Sequence, residues 1–193
     1  MVSQASVGAK KRSIPEVVSM VTLANLGQRI DLELLVNHLR NCVYEPSQYP
    51  AVFYSFKKPR ITFSIFSSGK VLSYGGKKLE DIRVSFSKLI SQIEPIDLKS
   101  KILPPRVCMI VSKVDLGRTV DIDDLATKLK GSIYEPEHFP GLMWRPSKGI
   151  IVILFSSGKC VITGAKSRRN LRDAYKRVRS KIGRFGKVRV STS

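Results

Sequence analysis

The chain repeats itself. Leu26-Gly27, Tyr44-Glu45-Pro46 and Pro50 return 90 residues later as Leu116-Gly117, Tyr134-Glu135-Pro136 and Pro140. Phe66-Ser67-Ser68-Gly69-Lys70 returns 89 later as Phe155-Ser156-Ser157-Gly158-Lys159, and Gly75-x-Lys77 as Gly164-x-Lys166. One residue is therefore missing from the second copy between Pro140 and Phe155. A period this long exceeds that of solenoid arrays, about 20–50 residues. It predicts two copies of one small fold joined with approximate two-fold symmetry. Duplex DNA has the same approximate symmetry, and this chain of 193 residues carries a formal net charge of +19. Such a charge suits a polyanion, most simply a nucleic acid.

An apolar content of 42% is ample for a core, and no apolar run approaches the length of a membrane-spanning helix. Lys10-Lys11-Arg12 has no apolar stretch behind it, so residues 1–16 read as a flexible basic arm rather than a secretory signal. Cys42, Cys108 and Cys160 are odd in number and far apart. That spacing argues against a disulfide framework and suits a reducing, intracellular compartment.

Within the first copy, Val18 to Leu23 reads as a strand. Asp31 is placed to cap a helix over Asp31–Arg40, whose apolar residues Leu32, Leu35, Val36 and Leu39 recur at helical spacing. Two prolines between Tyr44 and Pro50 exclude a helix there. Val52–Phe56 and Ile61–Phe66 read as strands around a basic turn, and Lys70–Tyr74 as a further strand. Leu79, Ile82, Phe86, Leu89, Ile90 and Ile93 mark a long amphipathic helix. The order is strand, helix, four strands, helix. The second copy matches, with a strand at Cys108–Val114, a helix at Asp121–Leu129, strands to Thr163 and a helix at Ser167–Ile182. Ile150, Val152 and Leu154 form one face of a strand, and Ile151, Ile153 and Phe155 the other. Both faces are apolar, yet each repeat has only two helices. Either the strand is sandwiched, or one apolar face is open and marks a binding surface.

These residues closely resemble the TATA-box-binding protein family over roughly Val17 to Ile182. The motifs are Tyr134-Glu135-Pro136-Glu137-x-Phe139-Pro140-Gly141, Phe155-x-Ser157-Gly158-Lys159 and Thr163-Gly164-Ala165-Lys166-Ser167, with weaker counterparts in the first copy. The resemblance implies an α+β fold: two tandem pseudo-symmetric repeats forming a saddle-shaped curved antiparallel sheet of about ten strands, with four helices on the convex side. The domains expected are a first repeat over 17–105, a second over 106–183 and a basic tail over 184–193. The implied function is binding and bending of promoter DNA through the minor groove, nucleating a preinitiation complex in the nucleus. Kinking by apolar wedges is this family's own mode of binding, not a reading from composition. It suits a groove whose hydrogen-bond pattern separates little beyond A·T from G·C, because easily deformed sequence is then selected by deformation energy.

The resemblance assigns roles position by position. The intercalating positions are Tyr49, Phe66, Phe139 and Phe155, with tyrosine standing where the family has phenylalanine. Minor-groove contacts fall at Ser19, Val21, Leu72, Tyr74, Met109, Val111, Ile153, Val161 and Thr163. Ser19 and Met109 replace groove-reading asparagines, Tyr74 replaces a threonine, and Ser64 replaces an aliphatic residue. Phosphate contacts fall at Lys57, Arg60, Lys70, Lys77, Arg145, Lys159 and Lys166. Two further arginine positions hold Gln48 and Ser55, and neighbouring Lys57 and Arg60 compensate for them. Glu135, Glu137 and His138 stand where the family binds a transcription factor IIB-like protein, and a IIA-like partner is implied as well. The protein is expected to bind DNA as a monomer, and the sequence leaves dimerisation of the free protein open.

From Lys166 to Arg189 there are eleven basic residues against the single acid Asp173, a net +10 and more than half of the total. Leu171, Tyr175, Val178 and Ile182 give the helix here an inward stripe, so its basic face points outward. That face is expected to dock an acidic regulator or a second length of DNA. His38 and His138 occupy different settings in the two copies, and no Ser-His-Asp or Cys-His pattern emerges. The expectation is a non-enzyme without cofactor or metal. Two alternatives stand beside the promoter factor: a divergent relative with relaxed or lost TATA preference, acting mainly through protein contacts, and a protein scaffold with little DNA binding of its own.

Overall fold

A computed structural model describes residues 14–93 and 102–185. The basic arm expected over 1–16 lies almost wholly outside them, as does most of the tail expected over 184–193. The first copy runs β1 (Glu16–Asn25), α1 (Leu32–His38), β2 (Cys42–Val43), β3 (Ala51–Phe56), β4 (Ile61–Phe66), β5 (Lys70–Gly75) and α2 (Leu79–Ile93). The second runs β6 (Leu103–Asp115), α3 (Ile122–Lys128), β7 (Leu142–Ser147), β8 (Ile150–Leu154), β9 (Lys159–Ala165) and α4 (Arg168–Phe185). The strand order is β2-β3-β4-β5-β1-β6-β9-β8-β7 in one sheet of nine strands. The described residues divide into two compact units, those within Val17–Ser112 with Thr163–Leu171, and those within Lys113–Ile162 with 14–16 and 172–185.

Nine strands stand where about ten were expected. The counterpart of β2 in the second copy is the single bridge Ile133–Met143, closed by backbone bonds of 2.8 and 2.9 Å. The Ser132 hydroxyl donates to the Ala126 and Leu129 carbonyls, as the Cys42 thiol donates to the Leu39 carbonyl in the first copy, so this tie to the preceding helix is common to both. The missing residue of the second copy also finds its place. Four residues, 57–60, connect β3 to β4, whereas two, 148–149, connect β7 to β8, and the β7–β8 register shifts between Trp144 and Ser147.

The repeated motifs are two halves of one clamp. Asn25 Oδ1 accepts the Gly27 N–H at 2.8 Å, and Asp115 Oδ1 accepts the Gly117 N–H at 2.8 Å. The turn so formed is bonded to the Ser-Ser-Gly-Lys turn: Leu26 N to Gly69 O at 2.8 Å and Ile30 N to Ser67 O at 2.9 Å. The second copy repeats both, Leu116 N to Gly158 O at 3.0 Å and Val120 N to Ser156 O at 2.8 Å. These bonds satisfy loop backbone groups that would otherwise be stranded at the sheet margin. Just beyond, Asp31 accepts from the N–H groups of Glu33 and Leu34, and Asp121 from that of Asp124, capping α1 and α3.

Strand side chains alternate, and one set is covered by helices. α2 buries Ile82, Ser85, Phe86, Leu89 and Ile93, and the Phe86 ring lies 6.2 Å from that of Phe63 on β4. Ile61, Phe63 and Ile65 share that covered face and are fully buried. α4 buries Leu171, Ala174, Val178 and Ile182. Tyr175, expected in this stripe, is only half-buried and lies beneath the Arg179 guanidinium, 6.0 Å from the ring centroid. Leu171, Ala174, Val178 and Ile182 follow one another at helical spacing, so Ala174 takes the place in the stripe and the Tyr175 ring falls on its flank.

The clamp predicts a contrast between two glycines. Gly158 (φ +81) and Gly149 (φ +77) both need the left-handed region, but a Cβ on Gly158 would overlap the Arg118 carbonyl oxygen, whereas one on Gly149 meets nothing within 4 Å. Gly149→Ala is expected to cost about 1–2 kcal/mol from backbone strain alone. Gly158→Ala should cost about 1–3 kcal/mol more, since backbone must move to admit the methyl. Urea unfolding midpoints of the two variants check this.

Candidate nucleic-acid interface

The face of the sheet opposite the buried one is assembled differently in each copy. In the first, the register sets Ala51 opposite Phe66, Phe53 opposite Ser64, and Ser55 opposite Thr62 on β3–β4. β5 continues these rows with Leu72 beside Ser64 and Tyr74 beside Thr62. On β1, Ser19, Val21 and Leu23 are half-buried while Met20, Thr22 and Ala24 are buried. Val21, Leu72, Tyr74 and Phe66 thus share one partly open face. The Ser19 hydroxyl accepts the Gly75 N–H at 3.3 Å.

Tyr49 stands just before β3. Its N–H donates to the Glu45 carbonyl at 2.9 Å, and its ring meets Phe66 at 5.8 Å with planes at 62°. The second copy builds the same pair. The Phe139 N–H donates to the Glu135 carbonyl at 2.9 Å, and the Phe139 ring meets Phe155 at 5.9 Å and 64°. The Tyr-Glu-Pro motif is therefore the turn that sets the first ring of each pair. Tyr49 is 40% exposed and Phe139 38%, so the tyrosine occupies the phenylalanine position without retreating into the core. Gly141 makes room beneath the second pair: a Cβ there would lie 2.6 Å from Phe139, 2.9 Å from Ile153 and 3.1 Å from Phe155.

The open face of the second copy is aliphatic. Ile151, Ile153 and Phe155 are half-buried, whereas Ile150, Val152 and Leu154 are buried. The both-sides-apolar strand thus has one covered face and one partly open face, not two covered ones. Met109, Val111, Val161 and Thr163 are half-buried. A cleft of about 720 Å³ opens beside Phe155, lined among others by Pro140, Lys113, Lys159 and Val161.

Lys57 and Arg60 are exposed in the β3–β4 turn, Lys70 and Lys159 at the starts of β5 and β9, and Lys77, Lys166 and Arg145 on the margins. Gln48 and Ser55, at the family's arginine positions, are exposed too. Glu135, Glu137 and His138 are exposed in the loop before Phe139, and the imidazole Nδ1 of His138 is 3.9 Å from the Glu135 carboxylate. Among the described residues no group of three or more His, Cys, Asp or Glu side chains is placed to hold a metal ion.

Two residues of this face escaped sequence reasoning. Phe53 adds a third ring to the first pair, 5.4 Å from Tyr49. Its signal was alternation along β3 with Ala51 and Ser55. Lys113, two residues after Val111, is exposed and paired with Glu16 at 3.3 Å. Its signal was the 90-residue offset from Leu23.

An open, ring-bearing sheet face flanked by lysines and backed by helices, built twice in one chain, defines a duplicated α+β protein of the nucleic-acid-binding kind. The model of the family "Transcription factor TFIID (or TATA-binding protein, TBP)" matches residues 14–96 and 104–185. The chain belongs to the TATA-binding protein family. It is 34% identical to the TATA-box-binding protein of Methanocaldococcus jannaschii over 165 residues, covering 84% of this chain and 90% of that one. It is also 34% identical to the Drosophila melanogaster TATA-box-binding protein over 176 residues, 90% of this chain but 50% of that longer one. The solved structure of Methanococcus jannaschii TBP matches with a TM-score of 0.78 at 33% identity, covering 88% of this chain and 98% of that one.

Cys160 reports on which face is which. It lies on β9 between the partly open Lys159 and Val161, yet it is buried, and burial pushes its thiol up to about 12. Because the thiolate is the reactive form, Cys160 is expected to resist an aromatic disulfide reagent at pH 8 in the folded protein. A cysteine placed at Val161 should react at least about tenfold faster. Labelling kinetics of Val161→Cys, resolved by peptide mass, check this.

Proposed function

We propose that this chain is a promoter-binding transcription factor that seats its open sheet faces in the minor groove and bends the duplex. The observation that carries the reading is the pair of ring stacks, Tyr49–Phe66 and Phe139–Phe155. They have the same geometry in both copies even though one ring has changed type. Apolar residues kept partly exposed cost solvation in the free protein, and that cost is offset when they enter a groove or a base step. Val21, Leu72, Val111, Ile153 and Val161 fill the groove, while Lys57, Arg60, Lys70, Lys77, Arg145, Lys159 and Lys166 meet phosphates. Serine and methionine at Ser19 and Met109 support the reading that TATA preference is relaxed relative to the relatives. Those relatives come from archaea and animals, so the compartment proposed is that of the chromosome, the nucleus in a nucleated cell. No catalytic step is proposed.

The carboxylates of Glu135 and Glu137 face solvent beside the Phe139 wedge. They are proposed to receive a basic, transcription factor IIB-like partner, so that bent DNA nucleates assembly. The exposed Arg168, Arg169, Arg172, Lys176, Arg177 and Arg179 of α4 lie on the helical side and suit an acidic regulator.

Phe155→Ala is expected to abolish the bend seen by end-to-end fluorescence transfer on a TATA duplex, and an unchanged bend would remove the wedge role. With about five to seven phosphate contacts, log affinity against log salt should have a slope near −5 to −6, and Lys159→Ala should flatten it by about one. Glu135→Arg combined with Glu137→Arg should leave binary DNA affinity intact or slightly raised while ternary assembly with a IIB-like protein is lost. Gel shifts with and without that protein check this.

A further inference from the structure

The two long helices hold equivalent places in the two copies, yet only one carries net charge. α2 balances Glu80 and Asp81 against Arg83 and Lys88. From Arg168 to Gly183, α4 carries seven cations and one carboxylate. The fold therefore does not need the charge, and elementary electrostatics argues against it. The first turn of α4 holds no acidic residue. Arg168 and Arg169 stand there instead, at the positive end of the helix dipole, where a cation is disfavoured. Arg168, Arg172 and Lys176 follow at four-residue spacing, so like charges are neighbours along the helix and each pair destabilises it. The described residues do not relieve this. Among them Arg168, Arg169, Arg172 and Lys176 make no ion pair, and Asp173 bridges none of these cations. Arg177 donates to the Pro146 carbonyl at 3.3 Å, a bond that holds it without neutralising it.

The cations form a row. Arg168, Arg172, Lys176 and Arg179 recur every three or four residues with Arg169 beside them, all exposed, whereas the buried stripe is Leu171, Ala174, Val178 and Ile182. The row spans about 16 Å of helix. Two features choose among the acidic partners that suit it. No large apolar side chain of residues 168–183 is exposed, and Tyr175 is half-buried beneath the Arg179 guanidinium. Protein interfaces draw most of their energy from aromatic and apolar anchors in pockets, so the row offers an acidic protein little beyond charge. A duplex needs no such anchor. It presents about one negative charge per 1.7 Å of axis, and neutralising its phosphates releases condensed counterions. The row is mostly arginine, whose fork matches phosphate oxygens in pairs. We infer that the solvent-facing row of α4 binds the backbone of a second DNA segment, whatever its sequence, while the open sheet face holds the first. The inference rests on the minor-groove reading and goes beyond it, because the chain then bridges two stretches of DNA. Neighbouring DNA is at high effective concentration around a chain already seated on a duplex. Binding at ordinary non-specific strength, a Kd of about 10⁻⁴–10⁻⁶ M, is therefore enough.

The test saturates the full-length chain with a doubly labelled TATA duplex and then adds a second labelled duplex of G·C pairs. Fluorescence transfer within the first reports the bend, and anisotropy of the second reports bridging. The second duplex should bind in the range just given, with a slope of log affinity on log salt near −4. Arg172→Glu with Lys176→Glu should weaken this step at least about tenfold and leave the bend unchanged. Its melting temperature at low salt should not fall, because Arg168, Arg169 and Arg179 gain partners. Arg172→Gln with Lys176→Gln, which removes two contacts without reversing charge, should flatten the slope by about two. Poly-glutamate at equal charge should displace the second duplex at least about tenfold less well than unlabelled duplex does. A wild-type complex that binds no second duplex overturns the inference, as do folded variants that bind it like wild type. Poly-glutamate competing as well as duplex also overturns it and gives the row to an acidic protein. Absence of the bend in the wild type instead overturns the minor-groove reading, and the anisotropy step on the free chain still tests the row.

Discussion

Each repeat depends on a backbone clamp between two turns. The Leu-Gly turn after the first strand of the copy and the Ser-Ser-Gly-Lys turn between its last two strands bond to one another through main-chain groups. The glycines at 69 and 158 are required because a carbonyl oxygen of the partner turn occupies the space of a side chain. Once those turns are locked, the pairing of β1 with β5 has one register, with Asn25 opposite Lys70 and Thr22 opposite Ser73. Register in a sheet decides which face every side chain takes, so the clamp also decides what is buried and what remains open.

The open face follows from how few helices there are to cover it. Phe63 and Phe86 close the helical side, while Phe66, Leu72 and Val21 stay partly exposed on the other. In an isolated protein this is a liability of apolar surface. The rings of Tyr49 and Phe139 are nevertheless held outward by the same backbone turn in both copies, and Gly141 keeps space for its pair.

Duplication has left the scaffold alike and the surfaces unlike. Clamp, caps and ring pairs are built the same way in both copies, with Asp115 for Asn25 and Phe139 for Tyr49. The open faces are not: Phe53 with Ser64 stands where Met143 with Ile153 stands in the other copy, a large–small exchange that conserves bulk across the strand pair while changing polarity. The helices diverge likewise. α4 is lined with arginine and lysine, whereas α2 sets Glu80 and Asp81 against Arg83 and Lys88.

The sequence alone determined the repeat, the element order, the capping by Asp31 and Asp121, the family and the ring positions. Those are local or periodic properties, legible from turn residues, spacing and motif. It also located the both-sides-apolar strand but left both readings of it open. Tertiary structure decided what depends on residues far apart in the chain. Phe53 became part of the site because β3 pairs with β4 in a register that faces it to Ser64. The Ser64 hydroxyl has no hydrogen-bond partner among the described residues because that pairing covers it. Ala174 lies in the buried stripe of α4 with Leu171, Val178 and Ile182, while Tyr175 falls on its flank, and spacing alone suits either position. The tenth strand is a single bridge, Ile133 with Met143, a difference between the copies that spacing does not show. Periodicity states which side of an element a residue is on; only packing and register state what is waiting there.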